Sequence, residues 1–198
     1  FLPDGAQGAQ MGDWLRVSLT FHTSVPYPVT GKLIQLYGKD LPPSADVGMI
    51  ASEYGLIEAH DPGAEEQAAK VAQEVDPAEI ARRKDLRHIP FITIDGETAR
   101  DFDDAVYVER GATGHVLWVA IADVSHYVME GMPLDRNARE RGTSVYFPER
   151  AFHMLPRALS ENLCSLKPKV PRLALVARID LDAAGRKQKI QLFEAVIE

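Results

Sequence analysis

Between Phe91 and Val106 the chain reads FITIDGETARDFDDAV, and five carboxylates (Asp95, Glu97, Asp101, Asp103 and Asp104) fall within ten residues. Apolar, strand-forming residues flank them on both sides. The flanks favour burial in a sheet, whereas the charges demand water or a cation. Gathered carboxylates repel one another and hold their protons more tightly unless a cation is present. Mg²⁺ offsets that cost, because it prefers hard oxygen ligands and shares them with substrate phosphates. In an extended segment Asp101 and Asp103 face one side and Asp104 the other. Asp95 lies six residues before Asp101, and a turn through Gly96 brings it back. On the residues alone two readings stay open: a divalent-metal site, or a polar hairpin loop with solvated carboxylates.

Three familiar acidic patterns do not fit. The calcium-binding EF-hand loop needs a glycine that is absent here. The D-x-E-x-T opening of proofreading exonucleases fails because Thr98 comes one residue early. The D-x-D-G-T of aspartyl-phosphate phosphatases fails because DFDDA lacks Gly-Thr.

With 198 residues, the chain is long enough for one or two domains with a core. Its one cysteine, Cys164, excludes an internal disulfide framework or a multi-cysteine zinc site, and fits a reducing, cytoplasmic compartment. No apolar run approaches membrane-spanning length. The net charge is −7, which argues against a general nucleic-acid coat, but the charge is uneven. Residues 40–80 carry ten acidic side chains against Lys70 alone, and residues 136–172 carry eight Arg and Lys against three Glu. The basic stretch is either a phosphate-accepting surface or one of two solvated faces of opposite sign.

Residues 13–37 alternate polar and apolar and predict two strands, DWLRVSLTFHT and VTGKLIQLY, joined around Pro26 and Pro28. Residues 39–87 read as an acidic helical connector. Ser44 caps a first helix running to Gly55, PGAEEQAAKVAQEV forms a second, and Asp76-Pro77 opens a third over AEIARRKDL. From His88 the pattern becomes strands: IPFITID, DDAVYVE and HVLWVAIADV. Pro133 and Gly142 bracket a short helix, and Pro156 starts another with Leu159 and Leu163 on one face. Residues 172–198 form a hairpin turning at 183–186. The chain stops inside a strand, so an open sheet edge near Glu198, and self-association through it, are expected. The fold class is therefore α+β.

TIDGETARDFDDAVYVE resembles the catalytic signature of the ribonuclease II / ribonuclease R family. LWVAIADVSHYV, PLDRNARERGTSVYFPER and MLPRALSENLCSL extend the match in the family's order, and RGTSVYFP looks more like the ribonuclease R branch. Residues 1–38 are similar to the end of the OB-type cold-shock barrel that precedes the catalytic RNB domain. Residues 88–198 then match the first part of that domain. The resemblance implies processive 3′→5′ hydrolysis of single-stranded RNA to nucleoside 5′-monophosphates, with Mg²⁺.

It places the four catalytic aspartates on Asp95, Asp101, Asp103 and Asp104. Asp95 and Asp104 would ligate metal directly, Asp101 would support the metal shell, and Asp103 would serve the hydrolytic step. Glu97 lies outside that set. Tyr146 matches the aromatic that stacks on the terminal nucleotide; read alone, a tyrosine between Val145 and Phe147 is a core residue. Arg141 and Arg150 either touch phosphate or have solvated salt partners. Cys164 reads as a packed thiol. The family's later active-site residues have no counterpart in these 198 residues, so the chain by itself is expected to be inactive. Two other classes remain: an RNA-binding or assembly module without turnover, and a metal-dependent phosphatase.

Overall fold

The computed structural model describes residues 5, 8–23, 28–41, 43–71 and 74–198. The chain forms two compact units, Phe1–Ile57 with Phe147–Glu149, and Glu58–Tyr146 with Arg150–Glu198.

In the first unit, β1 (Trp14–Phe21) pairs antiparallel with β2 (Val29–Gly38), as their alternating pattern predicts. Every residue of β1 is exposed, and no closed barrel forms among the described residues. Pro26 lies outside the described residues. Helix α1 (Pro43–Glu53) follows and buries Ala45, Val47 and Ala51. It begins at Pro43, so Ser44 falls within its first turn.

The second unit is built on a mixed sheet. Helices α2 (Pro62–Lys70) and α3 (Pro77–Arg82) lead into the short strand β3 (Lys84–Asp85). Strands β4 (Asp104–Arg110), β5 (Gly114–Ala122), β8 (Arg172–Asp182) and β9 (Lys187–Ile197) complete it. Between β5 and β8 come α4 (Val124–Tyr127), α5 (Pro133–Arg141), the two-residue strands β6 (Val145–Tyr146) and β7 (Ala151–Phe152), and a wide helical turn, α6 (Leu159–Leu163). Among the described residues the strand order is β3-β9-β8-β5-β4.

Alternation on the strands sends one set of side chains inward. Val116, Trp118 and Ala120 of β5 and Ala174 and Val176 of β8 pack against Ala64 and Ala68 of α2, Leu134 of α5 and Leu159 and Leu163 of α6. Each buried leucine contributes about 1.5–3 kcal/mol. The other face is covered at one end, where Val75 and Ile80 meet Leu173 and Val196. Elsewhere it exposes Ile121, Leu175, Ile190 and Leu192.

Four expectations need correction. The third helix stops at Arg82, because Lys84 and Asp85 pair in parallel with Ala195 and Val196. IPFITID is not a strand: only Ile92 bridges to Val106, Pro90 has no N–H to donate, and Ile94 stays 82% exposed. The turn after Pro156 is wider than an α-helix, with Cys164 N–H donating to Leu159 C=O five residues back. The sheet edge near Glu198 is not open, because β3 flanks β9 there and Ala195, Val196 and Ile197 are buried.

An ion pair joins the connector to the sheet. The Arg83 and Asp123 side chains are 1% and 3% exposed and 2.6 Å apart, and Ser125 also donates to Asp123. Arg83 additionally reaches Glu79. Burial pushes the Asp123 carboxyl up, but the Ser125 and Arg83 hydrogen bonds win and hold it below its ordinary value. That contribution is complete above the unfolded carboxylate value of about 3.9 and is lost as pH falls through the lower folded value. Asp123→Asn should cost about 3–5 kcal/mol at neutral pH, since it removes the buried countercharge of Arg83 and leaves it only the more exposed Glu79 and Glu194. In urea denaturation the gap to wild type should shrink below about pH 4; a gap constant down to acid pH would contradict this assignment.

Candidate active site

The acidic loop is held at both ends by backbone hydrogen bonds. On entry, Ile92 and Val106 exchange N–H···O=C bonds of 3.0 and 2.8 Å. Their antiparallel direction carries Asp95 back toward Asp103 and Asp104, and Ala99 N–H closes a turn on Gly96 C=O. On exit, Ala122 N–H donates to Asp103 C=O at 2.9 Å, and Asp104 enters the β4–β5 ladder opposite Ile121.

The middle of the loop is clamped from outside. Phe102 N–H donates to Ser165 Oγ at 3.1 Å, Ser165 Oγ–H donates to Arg100 C=O at 2.7 Å, and Leu166 N–H donates to Phe102 C=O at 2.8 Å. The Phe102 ring packs against the core. With Phe102 turned toward the core, Asp103 is left exposed and Asp101 half-buried. Ser165 is fully buried and directly positions the acidic loop, yet no motif in the sequence marks it. Its only signal was a small polar residue directly after Cys164 in NLCSL.

Asp103 feels the other three aspartates. The carboxyl of Asp103 is raised, first by the loss of part of its hydration to the surrounding chain and then by the charges of Asp101, Asp104 and Asp95. Among the described residues none of the four is in an ion pair, although Asp85, Asp123, Asp135 and Asp182 all have arginine partners. An all-oxygen, uncompensated donor set suits a hard divalent cation. The side chains are not yet gathered about one point, since no group of three His, Cys, Asp or Glu is disposed to hold an ion among the described residues. A cavity of about 560 Å³ lies elsewhere, between α2 and residues 151–158, and is lined by Glu65, Ala68 and His153 but none of the aspartates.

Tyr146 stands beside the cluster. It is 61% exposed, unlike a core residue, and its hydroxyl donates to Asp101. Its phenol is pushed up to about 12, by burial first and then by Asp101. The His153 ring meets it edge-on, with centroids 6.3 Å apart.

The two arginines have other partners. Arg141 donates to the carbonyls of Ala59 and His153 and to Asn137 Oδ1. Arg150 pairs with Glu58 at 3.0 Å and lies over the Phe152 ring. Burial first, then the charge of Asp103, pushes the Cys164 thiol up to about 12, so it is a packed, protonated group at neutral pH.

Residues 83–198 match the family described as the RNB domain. The chain is 44% identical over 197 residues to Ribonuclease R of Escherichia coli (strain K12), covering 98% of this chain and 24% of that protein. It is similar to the solved structure of Mycoplasma genitalium RNase R in complex with double-stranded RNA, with a TM-score of 0.83 at 30% identity over 100% of this chain and 35% of that one. The same protein in complex with ribose methylated single-stranded RNA gives 0.82 at 30% identity, over 100% of this chain and 31% of that one. The chain thus spans about a quarter of the length of the curated relatives it matches. No helix among the described residues is long and apolar enough to cross a membrane.

The clamp makes a testable demand. Ser165→Ala leaves Phe102 N–H and Arg100 C=O without their partner, and should cost about 1–3 kcal/mol of stability. Hydrogen exchange should show faster exchange at the Phe102 amide. Unchanged stability together with unchanged Phe102 protection would remove Ser165 from its positioning role.

Proposed function

This chain belongs to the RNB domain family, and from that membership we propose that the whole protein is a Mg²⁺-dependent 3′→5′ exoribonuclease, acting processively on single-stranded RNA in the cytoplasm and releasing nucleoside 5′-monophosphates. One observation carries the reading: within the family-matched segment, four carboxylates without ion-pair partners among the described residues lie on a loop clamped before β4, beside an exposed tyrosine. The names of the relatives support it, and so do the two RNA complexes of a similar ribonuclease.

Asp95, Asp101 and Asp104 would hold the metal. Bound there, Mg²⁺ would neutralise charge on the scissile phosphate and make a coordinated water more acidic. Asp103 has a raised proton affinity and is suited to take the proton of the attacking water as that oxygen bonds to phosphorus. The bond from phosphorus to the 3′-oxygen of the preceding nucleotide breaks, and that oxygen is protonated from solvent. Tyr146 offers a ring face to the terminal base, a grip that reads no sequence. Arg150 lies near the hairpin that carries Tyr146 and is a candidate phosphate contact. Arg141 would serve RNA binding through the protein, by holding His153 behind the tyrosine.

A second reading, RNA binding without turnover, is favoured by the Tyr146 hydroxyl holding Asp101 and by no group of three His, Cys, Asp or Glu being gathered among the described residues. Digestion of 5′-labelled single-stranded RNA with Mg²⁺ separates the two: progressive shortening to short end products supports the exoribonuclease, and a shifted but uncut band supports the binder.

In the full-length protein Asp103→Asn should abolish that shortening while RNA affinity stays nearly intact, because phosphate contacts elsewhere carry binding. Wild-type cleavage rates in the variant would refute the role given to Asp103. Tyr146→Ala should lose roughly 1–3 kcal/mol of local grip and lengthen the final undigested product more than it slows the first cut. An unchanged end-product ladder would argue against stacking.

A further inference from the structure

Asp101 differs from its three neighbours. It is the one aspartate of the four whose carboxylate accepts a side-chain hydrogen bond among the described residues, and the donor is the tyrosine proposed to hold the RNA end. We propose that the Tyr146 hydroxyl and the divalent cation compete for Asp101, so that cation binding and capture of the terminal base assist each other. This rests on the reading of the cluster as a cation site and of Tyr146 as a stacking residue, and adds the coupling between them.

The geometry supports a latch. Tyr146 is mounted on a ladder of two residue pairs, Val145 with Phe152 and Tyr146 with Ala151. Phe152 is buried and anchors that ladder, while the Tyr146 ring is mostly in solvent, so the ring can turn without disturbing the core. With the hydroxyl on Asp101, the carboxylate is turned toward the tyrosine, in keeping with the absence of a gathered three-ligand group among the described residues. Drawing Asp101 toward a cation shared with Asp95 and Asp104 breaks the hydroxyl bond and frees the ring. A base that draws the ring away likewise frees Asp101. The linkage is reciprocal by thermodynamic necessity. Tyr146 thus acts twice: its ring face grips the substrate, and its hydroxyl positions a carboxylate.

The test separates ring from hydroxyl. Tyr146→Phe keeps the stacking face and removes only the competing donor, at an exposed position where the fold has no need of it. Mn²⁺ serves as the probe, and its affinity for the full-length wild-type protein and for the full-length variant is measured by calorimetry, without RNA and without turnover. The variant should bind Mn²⁺ about two- to tenfold more tightly, the scale set by one net hydrogen bond. The Tyr146 ring resonances of the wild type should shift on adding Mg²⁺, and in Asp101→Asn they should not. Equal affinities, or weaker binding by the phenylalanine variant, would overturn the latch and leave the cation site standing. If neither protein binds Mn²⁺, the cation-site reading falls, and the latch falls with it.

Discussion

Three hydrogen bonds from Ser165 and Leu166 hold an acidic loop that its own charge would push apart. The clamp works because it is rooted in the core. Leu159 and Leu163 of the wide turn α6 are buried, which fixes the backbone that leads to Ser165. Arg172, at the start of β8, donates to the carbonyls of Asn162 and Ser165 and to Asn162 Oδ1, so the end of that turn is also tied to the sheet. Side chains that never meet solvent therefore set where Asp101 and Asp103 sit. The wide turn has a use here: its five-residue hydrogen bond adds room that an α-helical turn would lack, at a point where the backbone must deliver Ser165 Oγ to two backbone groups at once.

Charge along the sequence does not map simply onto charge available to a ligand. The basic run from residue 136 to 172 suggested a phosphate-accepting surface, yet most of its arginines act within the protein. Arg139 pairs with Asp135, Arg150 with Glu58 and Arg157 with Glu161, while Arg141 and Arg172 satisfy backbone carbonyls. The acidic excess behaves in the opposite way at the cluster, where the four aspartates keep no ion pair among the described residues. The aspartates thus form a local concentration of negative charge that the chain does not neutralise.

Legibility followed the range of the interactions involved. DDAVYVE, HVLWVAIADV and the closing hairpin could be read because alternation is written in neighbouring residues, and helix α5 because Pro133 and Gly142 mark its ends locally; Gly142 indeed takes the left-handed conformation, at φ 72°. Lys84 and Asp85 could not be read as a strand. Nothing in two exposed polar residues announces it, and their partner lies 111 residues later in the register of Lys84 with Ala195. The same pairing explains why the final strand ends buried rather than as an open edge. At the candidate site, the carboxylates and the tyrosine were legible as residue types in a motif. The parts that place them were not: the Ile92–Val106 bridge, the Ser165 clamp and the hydroxyl bond to Asp101 all join segments distant in sequence.

The four aspartates are also held unequally, and this bears on how such a site works. Asp104 is fixed by the β4–β5 ladder, and Asp103 by the bond from Ala122 to its carbonyl. Asp95 lies beyond a single bridge, in a loop, and the Asp101 carboxylate depends on Tyr146. The backbone is held beside all of them but Asp95, and what differs at Asp101 is the carboxylate, whose position rests on the Tyr146 hydroxyl. Full preorganisation of four carboxylates would make the repulsion permanent in the absence of a cation, a cost the folded chain would carry at all times. Under the proposed cation-site reading, adjustable Asp95 and Asp101 carboxylates would defer that cost until the cation is present to offset it. On that reading the assembly of the site would be part of cation binding, with the Asp95 and Asp101 carboxylates moving to meet the ion.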